Sequence, residues 1–322
     1  MSAWPARGVR TMSESSLPAT EARGLARWWI YQRERFPLFA HGALVLAFSG
    51  CAVSLSAHLR DGSWPSISAL TVAFISCLLF FAQLRIADEF KDYDEDCAYR
   101  PYRPVPRGLV SLNELAVVFA GAAGIQLWLA WQGSVVQLVL LVVTWLYLTG
   151  MCVEFGCRQW LKARPVTYLW SHMLIMPLVD LYATACDWAQ TDTTPPVGLV
   201  PFLIASLANG FVLELGRKIR RPEDEEHGVE TYSVLWGPPR AVAWWLGAIA
   251  ACFACALICA AFAGALLPVA AVLTLALVYC AWVARRFLTS LPALSGKTIE
   301  HASAFWTLAL YLSLGLLPQW LA

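Results

Sequence analysis

The sequence predicts an all-α membrane protein with nine spans, and three observations carry that prediction. Of its 322 residues, 59% are hydrophobic and 16 are tryptophan, with a mean hydropathy of +0.58, more apolar surface than a soluble domain of this size needs. The apolar content is gathered into repeated runs of about 20 residues, the length that crosses a bilayer as a helix. When those runs alternate across the membrane, all but Arg60 of the 23 lysines and arginines fall on one side, as the positive-inside rule requires.

Residues 1–36 are polar and Arg-bearing and lack an apolar h-region, so they read as a cytosolic leader rather than a cleaved signal peptide. Residues 37–322 form the membrane domain. Within the leader, residues 21–37 carry Trp28, Trp29 and four arginines, a composition suited to lying along the membrane surface. Charged and Pro/Gly punctuation then delimits the spans. The first two, 38–58 and 66–87, are separated by a segment holding Arg60, Gly62 and Pro65, and the second stops at Asp88. A proline-rich basic loop precedes 112–131, and Gly133 separates it from 134–154. The fifth, 165–186, opens at Pro165 after Arg164, and the sixth is 196–215. Gly237 and Pro238 introduce 239–262, Gly264 introduces 265–284, and the polar pair Glu300-His301 precedes 302–321.

With the N-terminus in the cytosol, the basic loops are cytosolic and the outer loops, such as Thr191 to Pro196, are too short for a catalytic site. A bacterial cytoplasmic (inner) membrane is the expected location. A net charge of +1 gives no electrostatic support to nucleic-acid binding. The ten cysteines lie mostly in apolar runs without paired metal-site spacing, and Cys252, Cys255 and Cys259 read as packing residues on one helix face.

Two charged clusters carry the chemistry. The first, Asp88 to Asp96, packs six carboxylates into nine residues. In a helix Asp88, Asp92 and Asp96 share a face and repel one another. A divalent cation turns that repulsion into coordination, and carboxylate oxygens with waters suit Mg²⁺. The loop Arg100 to Gly108 follows, and acids that bind metal beside guanidinium groups make a receptor for a diphosphate. The second cluster, Glu214 to Glu226, opens on the same face after the sixth span and mixes Arg217, Lys218, Arg220 and Arg221 with Glu223, Asp224 and Glu225.

At these residues the chain resembles the UbiA superfamily of intramembrane prenyltransferases. Asp88-Glu89-x-x-Asp92-x-x-x-Asp96 is similar to the family's N-D-x-x-D-x-x-x-D, with Asp and Glu in the first two places. Arg103-Pro104-Val105-Pro106-Arg107-Gly108 matches R-P-x-P-x-G. Arg33 to Pro37 resembles the Arg-x-x-x-Pro that opens the first span, Arg158 to Pro165 the basic entry to the fifth, and Gly228 to Gly237 the stretch after the second acidic motif. That second motif, D-x-x-x-D, is not literally present, and Glu214, Glu223 and Asp224 stand nearest to it.

The resemblance implies a bundle around an apolar cavity with a cytosolic polar cap. Mg²⁺ would be held by Asp88, Glu89, Asp92 and Asp96 on one side and by Glu214 or Asp224 on the other, bridging an isoprenoid diphosphate. Arg33, Lys91, Arg103, Lys162, Arg164, Arg217 and Lys218 would neutralise the remaining oxygens. Asp88, Asp92, Asp96 and Asp224 would then be catalytic, with the prenyl group passing to a lipophilic or aromatic acceptor. A terpene cyclase with no acceptor is the alternative; a transporter or lipid-binding protein would show broken helices near mid-membrane or matching halves.

Several residues inside the spans complete the expectations. Asp180, a carboxylate in an apolar run, either serves the chemistry or makes an interhelical contact. Tyr147, Trp170, Tyr182 and Trp306 are candidates for stabilising a carbocation through their ring faces. His172 is read as structural, and Glu154 as solvated at a helix end.

Overall fold

The computed structural model describes residues 24–321 apart from 192, 226–230 and 290–294, and among them every regular element is a helix. Most of the leader, 1–23, and part of the stretch from Gly228 to Gly237 lie outside the described residues.

The chain begins with α1 (Leu25–Arg35), then α2 (Leu38–Asp61), α3 (Ile67–Lys91) and the short α4 (Tyr93–Tyr99). After the basic loop come α5 (Leu112–Gln132), α6 (Val135–Cys152), α7 (Arg158–Lys162) and the paired α8 (Pro165–Met173) and α9 (Ile175–Trp188). The remainder is α10 (Leu199–Arg217), α11 (Tyr232–Trp236), α12 (Pro238–Phe262), α13 (Leu266–Thr289) and α14 (Gly296–Leu321). Nine candidate spans stand among the described residues, with α8 and α9 forming one of them. The protein is therefore a multi-pass integral membrane protein.

Local chemistry sets the helix ends. Side chains of Ser66, Ser111 and Ser134 cap α3, α5 and α6, and Glu114 completes a capping box with Ser111. Gly62 takes φ +74° and ends α2, a conformation that suits glycine. The fifth span is broken where the sequence reading had it continuous. Pro177 lacks an N–H and its ring clashes with the carbonyl of Met173, the last residue of α8. The ninth starts earlier than 302, because Lys297, Glu300 and His301 continue α14 out of the apolar layer.

Interhelical packing relies on close approach at small residues, as expected where lipid removes the hydrophobic drive between helices. A Cβ on Gly315 of α14 would stand 2.5 Å from Cys51 Cα on α2. The shared core contains Phe80, Tyr182, Phe202, Trp245, Trp306 and Tyr311, all fully buried. Arg60, the basic residue that breaks the positive-inside pattern, pairs with Asp187 of α9 at 3.2 Å. At the other end, α1 is tied down by Arg27–Glu114 and Arg35–Glu89 and by Arg107–Glu34 at 3.0 Å.

Candidate active site

The acidic end of α3 and the acidic end of α10 meet across one aromatic ring. Lys91 at the last turn of α3 has its Nζ 5.1 Å from the centroid of Tyr168 and donates to that residue's hydroxyl at 2.6 Å. Lys218, which closes α10, approaches the same ring from its side at 6.0 Å and the ring of Tyr232 at 5.8 Å. Asp88 acts electrostatically on both Arg217 and Tyr168, so the two clusters share one field.

Each acid has its own setting. Asp88 pairs with Arg85 at 2.7 Å. Asp92 ends α3 and begins α4; of the three motif aspartates it alone makes no salt bridge among the described residues. Burial, then Asp88, pushes its carboxyl up, while Lys91 pulls the other way. Asp96 is buried between Arg100 at 3.0 Å and Arg103 at 2.6 Å. Glu214 receives Arg217 at 2.6 Å and Lys218 at 2.9 Å.

Glu154 overturns the expectation of a solvated helix end. It is 3% exposed, 2.7 Å from Lys91 Nζ and 3.3 Å from His172 Nε2. Burial alone would raise its carboxyl, but hydrogen bonds with His172 and Lys91 outweigh that and hold it at about 2. The loop that delivers it is strained: Glu154 and Phe155 both take φ +50°, a region that costs a non-glycine residue about 1–3 kcal/mol. His172 stacks on Tyr168 at 3.9 Å, so it braces the ring between the two lysines. A cavity of about 30 Å³ lies against this group, lined by Asp88, Lys91, Leu148, Cys152 and His172 among others.

The other expected residues lie apart. Glu89 is 2% exposed and turned toward α1, where it pairs with Arg35. Asp224 is exposed and accepts from Gly296 N–H at 3.2 Å. Lys162 pairs with Glu95 at 2.6 Å on the surface, Arg164 covers Trp160 and Arg33 is exposed. Asp180 is fully buried and accepts from Tyr311 Oη at 2.7 Å. Its neighbour Ser206 precedes Glu214 by eight residues, about 12 Å along α10, so Asp180 sits well below the charged end. Tyr182 and Trp306 belong to the buried core, Tyr147 donates to Ser171 C=O at 2.6 Å, and Trp170 is 48% exposed.

Sequence reading missed Glu154, Tyr168, Tyr232 and Arg35 as members of these networks. Glu154 had one signal, being the only acid between Glu114 and Asp180. The tyrosines had none, because their value lies in which lysines stack on them.

Among the described residues no three His, Cys, Asp or Glu side chains could hold a metal by themselves. Mg²⁺ takes one or two carboxylates and completes its shell with waters and substrate phosphates rather than a protein cage. Asp88, Asp92 and Glu214 are the donors flanking the shared ring.

A model of the UbiA prenyltransferase family matches residues 44–308. No curated protein sequence matches. Solved structures with the same fold include a digeranylgeranylglyceryl phosphate synthase, 14% identical over 91% of this chain and 98% of that one, with a TM-score of 0.60. A UbiA homologue from Aeropyrum pernix K1 is 16% identical over 86% and 96%, with a TM-score of 0.59. One from Archaeoglobus fulgidus, bound to DMAPP and Mg²⁺, is 13% identical over 89% and 99%, with a TM-score of 0.55. At these identities the likeness is one of fold.

Proposed function

The chain belongs to the UbiA prenyltransferase family, and from that premise we propose that it ionises an allylic isoprenoid diphosphate between α3 and α10 and transfers the prenyl group to a lipophilic or aromatic acceptor. The observation that carries this reading is the bracketing of Tyr168 by Lys91 and Lys218, one from each charged cluster. Cations and acids from two helices meet at one point, the arrangement a metal–diphosphate needs. The diphosphate- and Mg²⁺-bound relative adds support by analogy of fold.

In this mechanism Asp88 and Asp92 from the end of α3 and Glu214 from α10 would hold Mg²⁺, one or two carboxylates to each ion. When bound, Mg²⁺ supplies charge that neutralises the diphosphate as it leaves. Lys91, Arg217 and Lys218 bind the remaining oxygens and, being fixed by Glu154 and Glu214, cost little reorganisation as charge develops. The allylic C–O bond breaks, the diphosphate keeps the electron pair, and the carbocation is held in an apolar space that excludes water. The acceptor then forms the new bond to carbon and releases a proton. Arg100 and Arg103, paired with Asp96 beside the site, join the phosphate oxygens when substrate arrives. The site faces the cytosol, where the basic loops lie.

Purified protein incubated with Mg²⁺ and allylic diphosphates of increasing chain length, with and without lipid extract, tests this. A prenylated adduct that needs the extract is the expected product. Cyclic hydrocarbon or alcohol formed without extract would replace transfer by cyclisation, and no diphosphate release would overturn both.

A further inference from the structure

Glu154 reaches Lys91 only because the chain after α6 reverses through three left-handed residues in succession. Glu154 and Phe155 take φ +50° and Gly156 takes φ +71°. Glycine enters that region freely, whereas a Cβ resists it. Among the described residues, Glu154 and Phe155 are the only ones other than glycine that adopt it. Gly156 N–H donates to Val153 C=O at 3.0 Å and Cys157 N–H to Glu154 C=O at 2.9 Å, which closes the turn. Ordinary turns make such bonds as well, so they do not explain why two unsuitable residues stay left-handed. Strain of this kind persists only where surrounding contacts over-determine the conformation.

The Phe155 ring supplies those contacts. It folds back against α6, where a Cβ on Gly150 would stand 3.0 Å from it and would meet no other side chain among the described residues. Gly150 therefore leaves a notch that the ring fills. Tyr147, one turn earlier on the same face of α6, meets the ring edge at 5.4 Å, and its own hydroxyl is anchored on Ser171 C=O of α8. From α8 the imidazole of His172 stands 6.1 Å away and perpendicular to the ring. Phe155 is thus wedged between two helices although 38% exposed.

His172 carries the wedge to the site. Its Nδ1 lies 3.0 Å from Tyr168 C=O, and because a carbonyl only accepts, Nδ1 holds the proton and the ring orientation is fixed. Nε2 then faces Glu154 at 3.3 Å and Lys91 at 3.2 Å. Removing the Phe155 ring frees the turn and one side of His172 together. The Lys91 ammonium, on its flexible four-carbon stem, then loses the frame that aims it.

We propose that Phe155 is a positioning residue for the transfer reaction: seated in the Gly150 notch, its ring holds the left-handed turn that presses Glu154 onto Lys91, and so sets where the Lys91 ammonium meets the diphosphate. The inference rests on the role given to Lys91 in the proposed reaction. A ring that merely anchored the loop at the membrane surface would affect stability and leave the rate alone.

A double-substitution cycle on Phe155→Ala and Glu154→Gln, in the detergent-purified full chain, tests this by two readouts. The first is kcat/KM for Mg²⁺-dependent diphosphate release. Each single variant should lose about tenfold or more, equivalent to about 1.4 kcal/mol. The double should fall no more than about twofold below the worse single, because both changes remove one restraint. Gly150→Val fills the notch without altering either side chain and should match Phe155→Ala; if Phe155→Ala fails to fold, Gly150→Val takes its place in the cycle. The second readout, melting temperature, needs no substrate. Glu154→Gln should lower it by less than about half as much in the Phe155→Ala background as in the wild type. Full kcat/KM in Phe155→Ala, losses that multiply, or an undiminished melting shift would each overturn the inference. A wild type that releases no diphosphate would instead remove the proposed reaction, and the melting cycle would still decide whether Phe155 holds Glu154 against Lys91.

Discussion

Replacing Glu154 with Gln removes a single charge from the loop after α6 and tests how the lysine at the centre of the site is held. In the wild type the carboxylate is 3% exposed and lies 2.7 Å from Lys91 Nζ and 3.3 Å from His172 Nε2. Removing one partner of a buried ion pair costs about 3–5 kcal/mol. A Gln oxygen still accepts a hydrogen bond, so the lower end, about 3 kcal/mol, applies. The sign with pH follows from the carboxyl being held at about 2, below its ordinary 4.5. Its contribution is fully present above 4.5 and is lost as pH falls toward 2. Thermal unfolding of wild type and Glu154→Gln in detergent, at neutral pH and at about pH 3, is the assay. The variant should melt several degrees lower at neutral pH, and the gap should narrow below pH 4.5. Equal melting at neutral pH, or a gap that ignores pH, would refute the assignment of Glu154 to Lys91.

Two further substitutions follow from the packing. Asp180→Asn should leave turnover and products unchanged, because Asn still accepts from Tyr311; Asp180→Leu should destabilise the fold by about 1–3 kcal/mol through the unsatisfied Tyr311 hydroxyl and so lower the melting temperature. Altered products with Asn would return Asp180 to the chemistry. Gly315→Val should prevent α14 from seating on α2, since a Cβ there already meets Cys51 at 2.5 Å, and the yield of folded protein should collapse. Normal yield would mean that the two helices do not approach so closely.

The architecture was legible because its signals are one-dimensional. Span length, proline and glycine punctuation and the side on which basic residues fall all survive in a linear string, and the nine spans follow from them. Even the break at Leu174 had a local cause in Pro177. The site was legible only in part, because carboxylates look alike in sequence. Nothing in Asp88-Glu89 says that Asp88 pairs with Arg85 while Glu89, about 100° further round the helix, turns to Arg35. That difference arises from α1 docking against α3, a tertiary event. Glu154 was misread for a related reason. A glutamate at a helix end is normally solvated, and only the left-handed turn through Glu154 and Phe155 returns it to Lys91.

The central claim is that α3 and α10 act on one diphosphate. It is tested most directly by a double-substitution cycle on Asp92→Asn and Glu214→Gln, reading the initial rate of Mg²⁺-dependent diphosphate release. Groups that hold the same ion and leaving group act as a unit, so their losses are strongly non-additive. Each single variant should lose at least about a hundredfold, roughly 2.7 kcal/mol, and the double should be no more than a few-fold slower than the worse single. Losses that multiply, or a Glu214→Gln enzyme with full activity, would contradict the account.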